Sequence, residues 1–137
     1  MSPALGRERF MQVEAGHDGF VAALSTNGKV WIRFSETEEF KCIPNAGKGI
    51  TKIAVGARHV LALSADNAVF LLGSNDHGQC GIRDLDVSPN DKPIKLDWPH
   101  KVTDIAAGKF HSAILTSEGE VVTFGFNKNL QLGKPQE

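Results

Sequence analysis

Five histidines and two cysteines supply the side chains of this 137-residue chain best suited to metal binding or proton transfer. His77 and Cys80 stand in an HxxC spacing that could offer two zinc ligands. Structural zinc takes four, and no second pair lies nearby in sequence. Cys80 reads instead as a small buried hydrophobe. The stretch NAGKGIT, Asn45 to Thr51, resembles a phosphate loop at Gly47-Lys48. That motif needs glycine where Cys42 stands and Ser or Thr where Gly49 stands, so a flexible turn is the better reading. His59 and His111 remain, and no nucleophile has a supporting context beside either one. Glu14, Asp66 and Glu118 show no pairing suited to glycosidase chemistry. No catalytic residue, cofactor site or metal site is expected.

The spacing of His59 and His111 gives the reason. Residues 51–81 and 103–133 align without a gap, and eleven of thirty-one positions are identical. Gly56 falls on Gly108, Leu63 on Leu115, Val69 on Val121, Gly73 on Gly125, Gln79 on Gln131 and Gly81 on Gly133. A repeat at a fixed period marks structural units that bury an apolar face against their neighbours. A histidine duplicated at that period is a core residue bonded to nearby backbone, so both rings are expected to be buried beside a carbonyl. A third, diverged copy covers Phe10 to Phe34: Leu24 falls on Leu63 and Val30 on Val69, Phe20 takes the histidine place, and one extra residue enters near Gly19.

Each copy reads as short strands. Val60 to Leu63, Val69 to Leu72, Ser112 to Leu115 and Val121 to Phe124 are apolar runs bounded by Gly, Asn, Asp or Ser. STNG, SADN and TSEG join the second and third runs, and each ends in Gly or Asn, residues that tolerate the left-handed backbone of a tight hairpin. Helical periodicity is absent. GSNDHGQCG and GFNKNLQLG read as loops after the hairpins. Ser35 to Ile50 and Ile82 to His100 are connectors. The second of them carries one edge strand around Ile94 and Leu96, and three prolines. Trp31, at the place of Phe70 and Val122, is expected between repeats.

The pattern AAGxxHSxxLTxxGxVxxFGxNxxxQLG resembles the repeat of the regulator of chromosome condensation family. The likeness is strong over Thr51 to Gly133 and weak over Phe10 to Phe34. It implies an all-β fold: a partial β-propeller of about three four-stranded antiparallel blades, open or part of a larger seven-bladed propeller. The division is a flexible segment 1–9, a diverged first repeat 10–50, a second repeat 51–102 and an incomplete third repeat 103–137. Three blades close no circle, so the chain is expected to be a piece of a longer protein or to be completed by a partner. The family includes an exchange factor for the small nuclear GTPase Ran, ubiquitin-ligase modules, ciliary proteins and scaffolds, and the fold does not choose among them.

Composition narrows the partners. The chain is 41% hydrophobic with a net charge of −1, enough for a core and too balanced to steer toward nucleic acid or anionic lipid. The cysteines form no framework, Met1 to Phe10 holds no apolar run, and nothing approaches a membrane-spanning length, so cytosol or nucleus is the expected compartment. The reading is a non-catalytic protein-interaction module. The alternatives are guanine nucleotide exchange on a Ran-like GTPase and chromatin binding. Partner contacts are expected at Asp76, His77, Arg83, Asp84, Trp98, Lys128 and Asn129, and self-association through open blade edges.

Overall fold

The computed structural model describes residues 8–43, 49–73, 94–96, 100–109, 111–125 and 128–132, with the backbone alone for 94, 124–125 and 128–132. Among the described residues, twelve strands form three four-stranded antiparallel sheets. The first holds β1 (Phe10–Ala15), β2 (Val21–Ser25), β3 (Val30–Arg33) and β4 (Lys41–Ile43) in chain order. The second holds β5 (Ile50–Val55), β6 (His59–Ser64), β7 (Val69–Gly73) and β8 (Ile94–Lys95). The third holds β9 (Val102–Ala107), β10 (His111–Thr116), β11 (Val121–Gly125) and β12 (Lys128–Leu132). No helix occurs among the described residues, and none there could cross a membrane.

The hairpin turns follow from their last residue. Gly28, Asn67 and Gly119 adopt φ of 81°, 65° and 84°. Each donates its amide to the carbonyl that opens the turn, on Ser25, Ser64 and Thr116, at 3.0 Å. The hydroxyls of the same three residues accept the amides of Lys29, Ala68 and Glu120 at 3.0, 3.1 and 3.2 Å. The three opening residues are buried, so the hydroxyl pins the turn from the core side. A bulge recurs as well: the registers of β1 with β2, β5 with β6 and β9 with β10 each slip at one place, at Met11, Thr51 and Thr103. Thr51 and Thr103 fill the gap by donating to the carbonyls of Leu63 and Leu115, both at 3.2 Å.

The sheets stack face to face in chain order, β5 against β1 and β2, and β9 against β5 and β6. Alternation along each strand divides the apolar residues between two interfaces. Val60, Ala62 and Leu72 face the first sheet, in one cluster with Phe20, Ala22, Leu24, Val30, Ile32, Ile50 and Ile53. Leu61, Leu63, Val69 and Leu71 face the third, in a second cluster with Val102, Ile105, Ile114 and Val122. All six residues of β6 are therefore buried, while β10, the same repeat element, buries only alternate residues.

Two segments differ from the strands expected of the sequence. The segment GFNKNLQLG, read as a loop, contributes β12, so Lys128 and Asn129 open a strand paired with β11. The first connector also supplies a strand, β4, paired with β3. Each run offers little strand signal, three residues in β4 and, in β12, a short Leu130-Gln131-Leu132 alternation flanked by glycine and asparagine, because an outermost strand needs one paired edge rather than two buried faces. Trp31 is buried beside Phe10, ring centroids 6.4 Å apart, but on the face of the first sheet turned away from the second.

The stacking rests on close approach at one repeat position. A Cβ on Gly56 would lie 2.0 Å from the His59 ring and 2.4 Å from the Gly108 carbonyl oxygen. On Gly108, the equivalent residue of the third sheet, the nearest atom would be 3.8 Å away. Gly56→Ala should cost about 1–3 kcal/mol of stability, and Gly108→Ala less than about 0.5. Urea unfolding midpoints compare the two, and equal losses would contradict this account of the interface.

Candidate interaction surface

His59 sits at the end of β6 with no solvent exposure, and its Nε2 lies 3.2 Å from the carbonyl oxygen of His111 on the next sheet. Burial pulls its pKa down to about 4, offset in part by the bond to that carbonyl. The neutral ring donates through Nε2, and Nδ1 has no hydrogen-bond partner among the described residues. This is a tie between sheets, as the repeat position implied. His111 departs from the expectation: its ring is exposed. Its carbonyl serves the second sheet, while its ring stands on the outer face of the third, which no further sheet covers among the described residues.

The tie belongs to a set that recurs at each junction. At the histidine end the amide of His17 donates to Ala57 at 2.8 Å, and the amide of Ala57 to Lys109 at 3.1 Å. At the hairpin end the amide of Ile50 donates to Gly28 at 3.1 Å, and that of Val102 to Asn67 at 3.0 Å. Between the ends, Gln12 brackets Ile53, accepting its amide at 2.9 Å and donating to its carbonyl at 2.8 Å. Lys52, the equivalent of Gln12, pairs with Asp104. Both partners are about half exposed, so the pair contributes at most about 1 kcal/mol. The hydrogen bond from Lys52 nevertheless holds the Asp104 carboxyl below its usual pKa. In the first sheet Phe20 takes the histidine place, fully buried, with the Phe34 ring at 5.4 Å and the Arg58 guanidinium at 5.9 Å.

The hairpin end carries a cleft of about 200 Å³ between the second and third sheets, lined among others by Asp66, Asn67, Lys95, His100 and Lys101. Asn67 spans its floor, donating through Nδ2 to the Val102 carbonyl at 3.0 Å. On the third hairpin, His100 Nδ1 lies 2.9 Å from a Glu118 carboxylate oxygen. Glu120 adds a third group within 4.8 Å, a set with the donor types of a divalent-cation site. The contact between His100 and Glu118 accounts for the arrangement, and both side chains are more than a third exposed.

Five residues expected to meet a partner, Asp76, His77, Arg83, Asp84 and Trp98, lie outside the described residues, as does Cys80. The first four follow β7 in sequence, and Gly73, the last residue of β7, packs against Arg58 and His59 at the histidine end. Trp98 falls between Leu96 and His100, which line the cleft at the opposite end. Lys128 and Asn129 open β12. Sequence reasoning missed the bracketing role of Gln12 and the pinning hydroxyls of Ser25, Ser64 and Thr116. The second was visible as Ser or Thr at one repeat position.

His59 makes stability depend on pH. In the unfolded chain it takes up a proton near 6.5, and in the folded chain only near 4. Its contribution is therefore complete above pH 6.5 and falls as pH drops toward 4, by about 3 kcal/mol, before levelling. His59→Phe should remove that part of the decline, read as the difference between unfolding free energies of the two chains across this range. Parallel curves would contradict the buried, neutral histidine.

Two profiles of the Regulator of chromosome condensation (RCC1) repeat match the sequence, one over residues 66–115 and one over 50–79 and again 102–131. An X-linked retinitis pigmentosa GTPase regulator homolog of Caenorhabditis elegans is 41% identical over 81 residues, 59% of this chain and 6% of that protein. The probable E3 ubiquitin-protein ligase HERC3 of Homo sapiens is 39% identical, with 64% of this chain and 8% of that protein aligned. The Regulator of chromosome condensation of Xenopus laevis is 33% identical, over 56% and 18%. The chain thus spans a small part of the length of these relatives. Among solved structures, Prp20p of Saccharomyces cerevisiae aligns with a TM-score of 0.72 at 26% identity, over 92% of this chain and 33% of that one. Human WBSCR16 shares the fold, with a TM-score of 0.77 at 21% identity over 94% and 39%. The three sheets are blades of a partial β-propeller, and the chain belongs to the regulator of chromosome condensation repeat family.

Proposed function

We propose that the chain is a non-catalytic protein-interaction module, a stack of blades that holds unequal connections out to a protein partner. The observation behind this is the contrast between frame and connection. Turns, bulges and inter-blade bonds recur at matched positions. The links from third to fourth strand do not: they are residues 34–40 in the first blade, 74–93 in the second and 126–127 in the third. Rigid scaffolds carry recognition on such variable segments. Asp76, His77, Arg83 and Asp84 fall in the longest link, and they are proposed as its contacts. Trp98 is proposed as an aromatic anchor at the cleft end, and Lys128 and Asn129 as contacts at the start of β12. We place the protein in the cytosol or nucleus and assign it no cofactor.

The titratable chemistry of the described residues supports a structural reading. The large pKa displacement belongs to buried His59, which ties blades together. The relatives named as ligases match over the repeats, 8% of HERC3. A second reading is exchange on a small GTPase. It is favoured by relatives described as a GTPase regulator homolog and as an RCC1-like G exchanging factor-like protein, and by Prp20p, described with binding to Gsp1p and histones. Chromatin binding would draw on the same likeness, against a net charge of −1.

Photo-crosslinking separates the readings. A crosslinker at position 83 should capture a discrete protein partner, and one at Thr26 in the hairpin turn should not. Capture from both or from neither would contradict the proposed contact segment. The same chain should leave nucleotide release from a panel of small GTPases unchanged. Acceleration would replace the non-catalytic reading with exchange.

A further inference from the structure

Two arginines from different blades converge on one serine. Arg33, the last residue of β3, donates through Nε to the Gly19 carbonyl at 3.3 Å, and its guanidinium lies 5.4 Å from the Phe40 ring centroid. Gly19 packs against the link that follows β3: a Cβ there would lie 3.1 Å from the Ser35 carbonyl carbon and 2.6 Å from the Glu36 amide nitrogen. Arg58, from the second blade, donates through Nη2 to the Phe34 carbonyl at 3.3 Å, on the peptide that leads into Ser35. The repeat frame calls for neither arginine. Leu72 and Phe124 hold the place of Arg33, and Phe110 holds that of Arg58. Ser35 opens a turn, its carbonyl accepting the Glu38 amide at 3.1 Å and its hydroxyl 3.0 Å from that of Thr37. Ser35 is half-buried, and the next four residues are exposed. The strand beyond, β4, has three residues and lies at the edge of its sheet, so its local opening frees the link as extended chain.

We propose that Ser35 is a phosphorylation site, and that its phosphate is held between Arg33 and Arg58, fastening the first blade to the second at the histidine end. In the transfer the Ser35 Oγ bonds to the γ-phosphorus of ATP and the bond to the β–γ bridging oxygen breaks. ADP leaves, and the hydroxyl proton passes to the base of the kinase. Glu36, Glu38 and Glu39 follow the serine, so the enzyme that fits is one with a basic substrate cleft. The acids alone would mark only a solvated link. The arginine pair singles out Ser35, because a guanidinium fork matches phosphate bidentately. The phosphate adds about −1.5 to −2 charges at pH 7 and three strong acceptor oxygens. Each guanidinium carries five N–H groups, and its carbonyl takes one. The junction also has a use for the contact. Where the second junction has the His59 tie, this one has apolar Phe20, and the phosphate supplies a polar fastening there.

The full chain, treated with Mg-ATP and an acid-directed serine kinase of the casein kinase type, tests this. Fragment mass spectrometry should place the phosphate on Ser35. Ser35→Ala should cut incorporation at least about tenfold, and Thr37→Ala should leave it unchanged. The phosphorylated chain should melt about 3–6 °C above the unmodified one. Arg58→Gln should abolish that gain, measured between the two forms of the variant itself, and Arg33→Gln replaces it should it fail to fold. Phosphoserine installed at position 35 during synthesis gives the same thermal comparison without a kinase. Phosphate on Thr37, or no incorporation into the folded chain, overturns the proposal. So does a modified chain that melts with the unmodified one, or a gain that survives both arginine variants. Both readouts use the chain without a partner, so they stand or fall apart from the interaction reading.

Discussion

The approach of one glycine to the carbonyl of the next blade sets the spacing on which the rest depends. Gly56 leaves room for the His59 ring and for Gly108 of the following blade, and with that clearance the His59 Nε2 reaches the His111 carbonyl. At the first junction Gly16 lies under the Ala57 carbonyl oxygen, 2.3 Å from where its Cβ would be, and Phe20 fills the histidine place with apolar bulk. A hydrogen-bonded ring and a phenyl ring thus serve the same junction. This is why one copy lacks histidine without losing its stacking. The hairpin ends are fastened separately, by Ile50 to Gly28 and Val102 to Asn67, so each pair of blades is held at both ends of its apolar interface.

Position in the stack then decides what identical residues do. Leu63 and Leu115 are the same residue at the same position of successive repeats, one covered by the next blade and the other more than a third exposed. Covering such a side chain fully contributes about 1.5–3 kcal/mol, so a blade without a neighbour loses most of what its onward face could supply. The same logic turns His59 into a buried tie and leaves His111 on the surface. Neither residue's chemistry differs, only the presence of a following sheet.

Much of this was legible from the chain alone. The period, the hairpin turns ending in Gly28, Asn67 and Gly119, and the runs of β6, β7, β10 and β11 all follow from residue types whose local preferences agree with the fold. The edge strand at Ile94 was legible too. The outermost strands β4 and β12 were not, because one paired edge demands little of a sequence: Lys41 to Ile43 is too short to show a period, and the brief alternation at Leu130 and Leu132 sits in a run rich in Gly and Asn that reads as loop. The exposure of His111 was illegible for another reason. A repeat shows what each position does inside a stack, and burial at its ends depends on what stands beyond them. The same holds for Trp31, whose place was read from its counterparts and whose neighbours on the outer face are not theirs.

The central claim is that the blades are fastened to one another through backbone bonds at both ends of each junction. Amide hydrogen exchange at Ile50, Ala57 and Val102 tests it most directly, since each of these N–H groups donates across a junction rather than within a sheet. The account predicts that the three exchange as slowly as the central amides of β6, opening only with the whole stack. Exchange at the rate of exposed turns, with β6 still protected, would mean that the blades stand beside one another without being locked, and would contradict it.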